Sequence, residues 1–168
     1  IYCEKGAYDT KLQKGNFQKN AIILYDNKEI RGDSLYFENE RNYAAATKNV
    51  SVIDTLNKSV INGHYGEIFK AKDSAIITRR ALAINIIDQD SLYIHADTLI
   101  ATGPPEKKIL RGYYDVRIFK KDLRGKSDSL HLDQSTGLIK LLKLPLNRKE
   151  NQILSSSQKN KKNPILWF

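Results

Sequence analysis

Along most of this chain apolar and polar residues alternate one by one. Leu35 and Phe37 sit among Ser34, Tyr36 and Glu38, and Val50 and Val52 alternate with Asn49 and Ser51. Farther on, Leu92, Ile94 and Ala96 alternate with Tyr93, His95 and Asp97, and Leu130 and Leu132 with Ser129, His131 and Asp133. Period two is the mark of half-buried strands, and these segments are rich in the Ile, Val, Tyr, Leu and Thr that strands favour. Turn signals fall at Lys14-Gly15-Asn16, Asp26-Asn27, Glu38-Asn39-Glu40, Asp54 to Lys58, Asp88-Gln89-Asp90, Gly103-Pro104-Pro105, Arg124-Gly125-Lys126 and Ser135-Thr136-Gly137. Their spacing predicts a long meander of antiparallel strands joined by short turns, with almost no helix.

Two short patterns recur. Gly-x-Tyr stands at Gly6-Ala7-Tyr8, Gly63-His64-Tyr65 and Gly112-Tyr113-Tyr114, and Asp-Ser at Asp33-Ser34, Asp73-Ser74, Asp90-Ser91 and Asp128-Ser129. Three of the Asp-Ser pairs lead into Leu-x-apolar, at Leu35-Tyr36-Phe37, Leu92-Tyr93-Ile94 and Leu130-His131-Leu132. The pairs read as polar strand entrances, each followed by an inward-facing alternation. Reuse of one unit predicts a solenoid-like stack: strands added along one axis, a continuous core between two facing sheets, and an unpaired edge strand at each end.

Composition narrows this only a little. The chain has 168 residues, 40% hydrophobic and 28% charged, ordinary proportions for one core-forming domain or two small ones. The longest apolar stretch, Ala81 to Ile87, is broken by Asn85, far short of the roughly 18 apolar residues of a transmembrane helix. Cys3 is the only cysteine, which excludes an intrachain disulfide and a cysteine-cluster metal site. The net charge of +9 fits nucleic acid, anionic lipid or a solvated surface. Arg148, Lys149, Lys159, Lys161 and Lys162 fall in the polar stretch 147–163, read as a flexible basic loop. The apolar end Pro164 to Phe168 reads as a strand cut short, so the whole of 1–168 is expected to be one domain from a longer chain.

Glu29-Ile30-Arg31-Gly32-Asp33-Ser34-Leu35-Tyr36-Phe37, followed by Ala44-Ala45-Ala46-Thr47-Lys48-Asn49-Val50-Ser51-Val52, resembles the OstA/LptA family of lipopolysaccharide-transport proteins. Weaker echoes stand at Asp90 to Ile94 with Asp97-Thr98-Leu99, and at Gly125 to Asp133, so the resemblance covers most of 1–146. It implies an all-β fold, a twisted antiparallel β-jellyroll of two facing sheets that carries lipopolysaccharide acyl chains across the periplasm between inner and outer membranes. In the full-length protein the module could also be associated with the outer membrane. The partners implied are lipopolysaccharide or lipid A, other Lpt-type jellyrolls joined by edge-strand pairing, and a second copy joined head to tail. No enzyme activity, cofactor, metal or nucleic acid is implied. On this reading Leu35, Phe37, Val50, Val52, Ile76, Leu92, Ile94, Val116, Ile118, Leu130 and Leu132 line a lipid groove; the alternative is that they fill the closed core of a structural envelope repeat. Arg79, Arg80, Arg111 and Arg117 are the candidates for lipid A phosphates, because Arg holds phosphate bidentately. Their alternative role is as solvated charges that keep strand edges from aggregating.

The chemistry of catalysis finds little support. Ser129, His131 and Asp133 hold the side chains of a triad, but residues two apart on a strand lie roughly 6.6 Å apart, beyond the reach of a nucleophile to its base. His64, His95 and His131 lack metal-ligand spacing, and no helix start or Lys-Ser/Thr follows Gly63-His64-Tyr65-Gly66, as a phosphate loop requires. Those glycines read as bends or bulges. Tyr36, Tyr65, Tyr93, Tyr113 and Tyr114 stand at strand spacing and read as core and rim packing rather than as base-stacking platforms.

Overall fold

The computed structural model describes residues 1–87 and 90–143, together with the strand at 153–156. Eleven strands follow one another: β1 (Lys5–Asp9), β2 (Lys14–Tyr25), β3 (Lys28–Glu38), β4 (Tyr43–Asp54), β5 (Ser59–Phe69), β6 (Ser74–Ile87), β7 (Asp90–Thr102), β8 (Ile109–Lys120), β9 (Leu123–Asp133), β10 (Leu138–Leu142) and β11 (Ile153–Ser156). Each is antiparallel to its neighbours in sequence, in one sheet whose spatial order is the chain order. Single 3-10 turns at Lys70–Lys72 and Pro105–Lys107 complete the secondary structure of the described residues. The antiparallel meander expected from the alternation, and the two-layered β-jellyroll that the resemblance implies, are therefore present, with one refinement. Its two facing layers are halves of one hydrogen-bonded sheet, folded across a crease that cuts β2 to β9 at mid-length.

The crease is written in the register. Every ladder from β2–β3 to β8–β9 slips at mid-strand. On the even strands the slip holds two consecutive non-glycine residues of left-handed φ: Lys19-Asn20, Lys48-Asn49, Arg79-Arg80 and Tyr114-Asp115. On the odd strands one residue bulges opposite them, namely Asp33, His64, Asp97 or Asp128. Such bulges bend a strand sharply. They also break the period of two. In β6 the buried inner positions run Ile77 and then Ala81, a step of four, and in β7 Ala96 and then Leu99, a step of three. Each strand thereby turns its apolar side to the same interior before and after the bend. One layer comprises roughly 21–32, 50–62, 81–87, 90–96 and 116–127, the other 14–18, 34–47, 65–78, 98–113 and 129–142. A single apolar cluster, from Phe17 through Leu35, Ile94 and Leu132 to Leu141, lies between them.

Several sequence expectations are corrected. Asp33-Ser34 and Asp128-Ser129 are crease corners in the middle of β3 and β9; of the pairs followed by Leu-x-apolar, only Asp90-Ser91 opens a strand. The quoted motif now has a mechanical meaning, since the Asn49 Nδ2 donates to both Asp33 carboxylate oxygens, at 3.0 and 3.1 Å, across the crease. Lys14-Gly15-Asn16 and Arg124-Gly125-Lys126 lie inside β2 and β9. Their glycines make room for side chains, because a Cβ on Gly15 would stand 2.5 Å from the Phe17 ring and one on Gly125 3.1 Å from Leu141. The stretch 147–163 is interrupted by β11, which pairs with Ile139 to Leu142. The rest of that stretch, and the strand expected at 164–168, lie outside the described residues.

Candidate functional site

Ten of the eleven groove candidates face the interior. Leu35, Leu92, Ile94 and Val116 are wholly buried, Val50, Val52, Ile118, Leu130 and Leu132 nearly so, and Phe37 packs half-buried against them. Ile76 is the exception. It lies on the outer face, paired with Glu67 and Ile100, and Ile77 takes the inner position. In the run Ala75-Ile76-Ile77 no polar residue marks the phase, so alternation could not choose between the two. Near the crease the layers approach closely at Gly63 and Gly66: a Cβ on Gly63 would meet Ile77 Cγ2 at 2.5 Å, and one on Gly66 would meet Ile77 Cδ1 at 2.7 Å and Val50 Cγ1 of the facing layer at 3.0 Å.

Opposite the crease, where strands end, the two layers form a mouth closed by polar side chains. Asp54 at the end of β4 and Lys108 just before β8 point inward from facing lips and pair at 2.6 Å, both nearly buried. The Asp54 carboxylate also accepts from the backbone N–H of Asn57 at 3.0 Å and from its Nδ2 at 2.9 Å. Burial pushes the Asp54 pKa up; the hydrogen bond from Lys108 and those from Asn57 outweigh it and hold the group below its ordinary value, so it stays ionised. Beside this pair the Lys70 ammonium sits 4.1 Å from the centre of the Tyr25 ring, a cation–π contact from one lip to the other. A hydrogen bond to Asp26, with burial, pushes the Tyr25 hydroxyl up to about 12. Between the lips lies a cavity of about 50 Å³, walled by Ile30, Val52, Ile61, Ile68, Ala101 and Leu110 and edged by Lys28, Asp73, Asn85 and Gln134. Asn85 Nδ2 and Gln134 Oε1 are buried there without a hydrogen-bond partner among the described residues.

Sequence reading passed over these mouth residues although a signal existed. In Val50-Val52-Asp54, Ala81-Ala83-Asn85 and Leu130-Leu132-Gln134 the inner alternation runs one step further and ends on a polar side chain, and Lys108 precedes Leu110 in the same way.

The arginines do not gather at one rim. Arg79 and Arg80 sit exposed on the crease, Arg79 at 6.0 Å from the Tyr65 ring centre and Arg80 beside a shallow outer groove with His64 and His95. Arg111, on the outer face of one layer, donates to Thr102 Oγ1 at 3.0 Å. Arg117, on the outer face of the other, pairs with Asp115 at 2.9 Å. Ser129, His131 and Asp133 share an outer face, where the Asp133 carboxylate is taken by the backbone N–H and hydroxyl of Ser135 at 2.9 and 2.6 Å. Tyr43 and Tyr65 both donate to Glu67, and Tyr43 packs on Phe69 with ring centres 5.3 Å apart; Tyr93, Tyr113 and Tyr114 are exposed, and none of the five tyrosines singled out in the sequence joins the core.

No helix among the described residues is long and apolar enough to cross a membrane. No protein-family model matches the chain, and no curated protein matches it. Among solved structures it is similar to LptH of Pseudomonas aeruginosa, described as the LptA-homologous periplasmic component of the conserved lipopolysaccharide transport device. The superposition has a TM-score of 0.63 at 10% sequence identity and covers 78% of this chain and 94% of that one. One folded sheet, an apolar interior and this superposition together establish that the chain has the LptA-like β-jellyroll fold.

Proposed function

We propose that the chain is a periplasmic lipopolysaccharide-binding and transport module, which holds acyl chains between its two layers and carries them between inner and outer membranes. The observation that carries this reading is the interior itself: strands β2 to β9 bend at mid-length so that both halves turn apolar side chains to one space. A fold shared with a periplasmic component of a lipopolysaccharide transport device supports it. The chemistry needed is only burial. An acyl chain of about a dozen methylenes gains roughly 10 kcal/mol on leaving water, at about 0.8 kcal/mol per CH₂. The mouth holds a cavity of about 50 Å³ beside Ile30 and Leu110 and an adjoining one of about 190 Å³ beside Leu132 and Ile139, room for part of such a chain, so full loading requires the layers to part.

The partners are lipopolysaccharide and neighbouring jellyrolls. All five residues of β1 are exposed and its outer edge is unpaired within the described residues, which suits pairing with another jellyroll or a second copy. The experiment is a binding titration of fluorescent lipid A into the purified chain, wild type and with Phe37→Asp or Ile94→Asp. Loss of binding in folded variants is expected, since each places a charge in apolar space. Binding retained by both folded variants would mean that lipid does not enter between the layers. A wild-type chain that binds no lipid would favour the second reading, a structural envelope repeat, for which the closed interior is the supporting observation.

A further inference from the structure

The mouth holds features that a permanently closed core does not require. Two charged side chains from opposite lips, 54 residues apart in sequence, are buried against each other on the side opposite the crease, where among the described residues no strand crosses between the layers. Breaking a buried pair by removing one partner is costly, whereas replacing both by apolar residues is often neutral or stabilising, so the pair adds little to a core that never opens. Its neighbours point the same way. Among the described residues Asn85 and Gln134 keep an unmet donor and an unmet acceptor at the same cavity, and unpartnered groups of this kind are few in native proteins. The remaining charge around the cavity is positive on balance, with Lys28 and Lys70 against Asp73.

We propose that this mouth is the entry point for an anionic amphiphile and that Asp54–Lys108 is its latch: Lys108 gives up the Asp54 carboxylate for the head-group phosphate while the acyl tail passes between the parted layers. Asn85 and Gln134 then meet the carbonyl and hydroxyl or N–H groups where tail joins head. The inference rests on the lipid-carrier reading and adds to it the place of entry and the residue that reads the charge. An ammonium already dehydrated and held by an ionised carboxylate can exchange one oxyanion for another at small cost, whereas a neutral amphiphile offers nothing to replace Asp54. The exchange needs no covalent step.

The test locks the latch reversibly. The contact is made at the tip of the long Lys108 side chain, so a direct disulfide, which needs Cα atoms about 4.4–6.8 Å apart, is replaced by a short bis-maleimide linker with a reducible centre. It is installed in a D54C/K108C chain carrying C3S, because Cys3 is exposed and would react. Uptake of fluorescent lipid A is followed by stopped flow. The linked chain should load roughly tenfold slower or worse, equivalent to about 1.4 kcal/mol on the barrier, and reduction should restore the rate. Equal rates before and after reduction overturn the entry point while leaving lipid binding itself intact; failure of the carrier reading would instead appear as no binding by the unmodified chain. A second variant, D54N/K108Q, leaves no orphan charge. It should load faster and lose the preference for phosphorylated over dephosphorylated lipid A. An unchanged preference overturns the role of Lys108, and competition by millimolar inorganic phosphate as strong as that by lipid A overturns the amphiphile in favour of a free-anion site.

Discussion

Gly66→Ala tests how tightly the two layers are set. The added Cβ would lie 2.7 Å from Ile77 Cδ1 and 3.0 Å from Val50 Cγ1, where carbon atoms prefer about 3.5–4.0 Å. Both obstacles are side chains within a packed core, Ile77 across the ladder and Val50 across the interior, so the strain is shared between the layers. Overpacking of this kind costs about 1–3 kcal/mol, which for a domain of this size lowers Tm by roughly 2–12 °C. Ile77→Val removes the Cδ1 atom and alone costs about 0.5–1.5 kcal/mol. The double variant should therefore be less destabilised than the sum of the singles, with a coupling of about 0.5–3 kcal/mol in a urea-unfolding cycle followed by circular dichroism. Gly63→Ala supplies the control. Its Cβ would meet Ile77 Cγ2 at 2.5 Å and the Thr78 carbonyl oxygen at 3.0 Å, neither of which Ile77→Val removes, so no rescue should appear. Additive singles at Gly66, or equal rescue at both glycines, would refute the stated contacts.

Three further outcomes are expected. Ile77→Ala should cost about 2–5 kcal/mol and Ile76→Ala no more than about half of that; the reverse order in thermal melts would mean that the crease phase is misassigned. Asp54 has a folded pKa below its unfolded one, so its contribution is complete above the ordinary 3.8 and fades as pH falls through the depressed folded value, with Lys28, Lys70, Asp73 and Lys108 as the charges facing it. Melts of wild type and D54N should thus differ by a constant amount from about pH 7 to 5 and converge below about pH 4; a gap unchanged down to pH 3 would contradict the depressed pKa. Charge reversal of Arg79 and Arg80 should leave the discrimination between phosphorylated and dephosphorylated lipid A intact, because Arg80 stands five residues, roughly 17 Å of strand, from the mouth residue Asn85; loss of discrimination in a folded variant would return the head group to the crease.

Fold class was legible because a half-buried strand must alternate, and ten of the eleven alternating apolar residues chosen from sequence do face inward. What alternation could not show was where it breaks. A bend with two left-handed residues on one strand and one bulged residue on the next shifts the phase by even or odd steps that look, in sequence, like the start of a new strand. Asp33 and Asp128 were read as entrances for that reason. Glycine misled in the same way: Gly15 and Gly125 are small because a neighbour's side chain needs the space, and nothing local separates that from a turn. The mouth was hidden because Asp54 and Lys108 meet only through tertiary structure, though the polar residue that closes each inner alternation marks the lips once the strand ends are known.

The spatial order of the strands also bears on how the chain reaches its native state. Because each strand bonds only to the strands before and after it, the ladders from β1 to β10 close between consecutive strands, and pairing adds no crossover between distant parts of the chain. Local pairing favours fast folding, and a one-dimensional array can nucleate at any hairpin and grow outward. The bend in every long strand adds a restriction: a hairpin cannot bury its apolar side until both of its arms have folded over, so layer closure and ladder growth advance together, one strand at a time. Truncation from either end should accordingly shorten the array without unravelling what remains, whereas a proline in β5 or β6 should divide it into two separately melting parts.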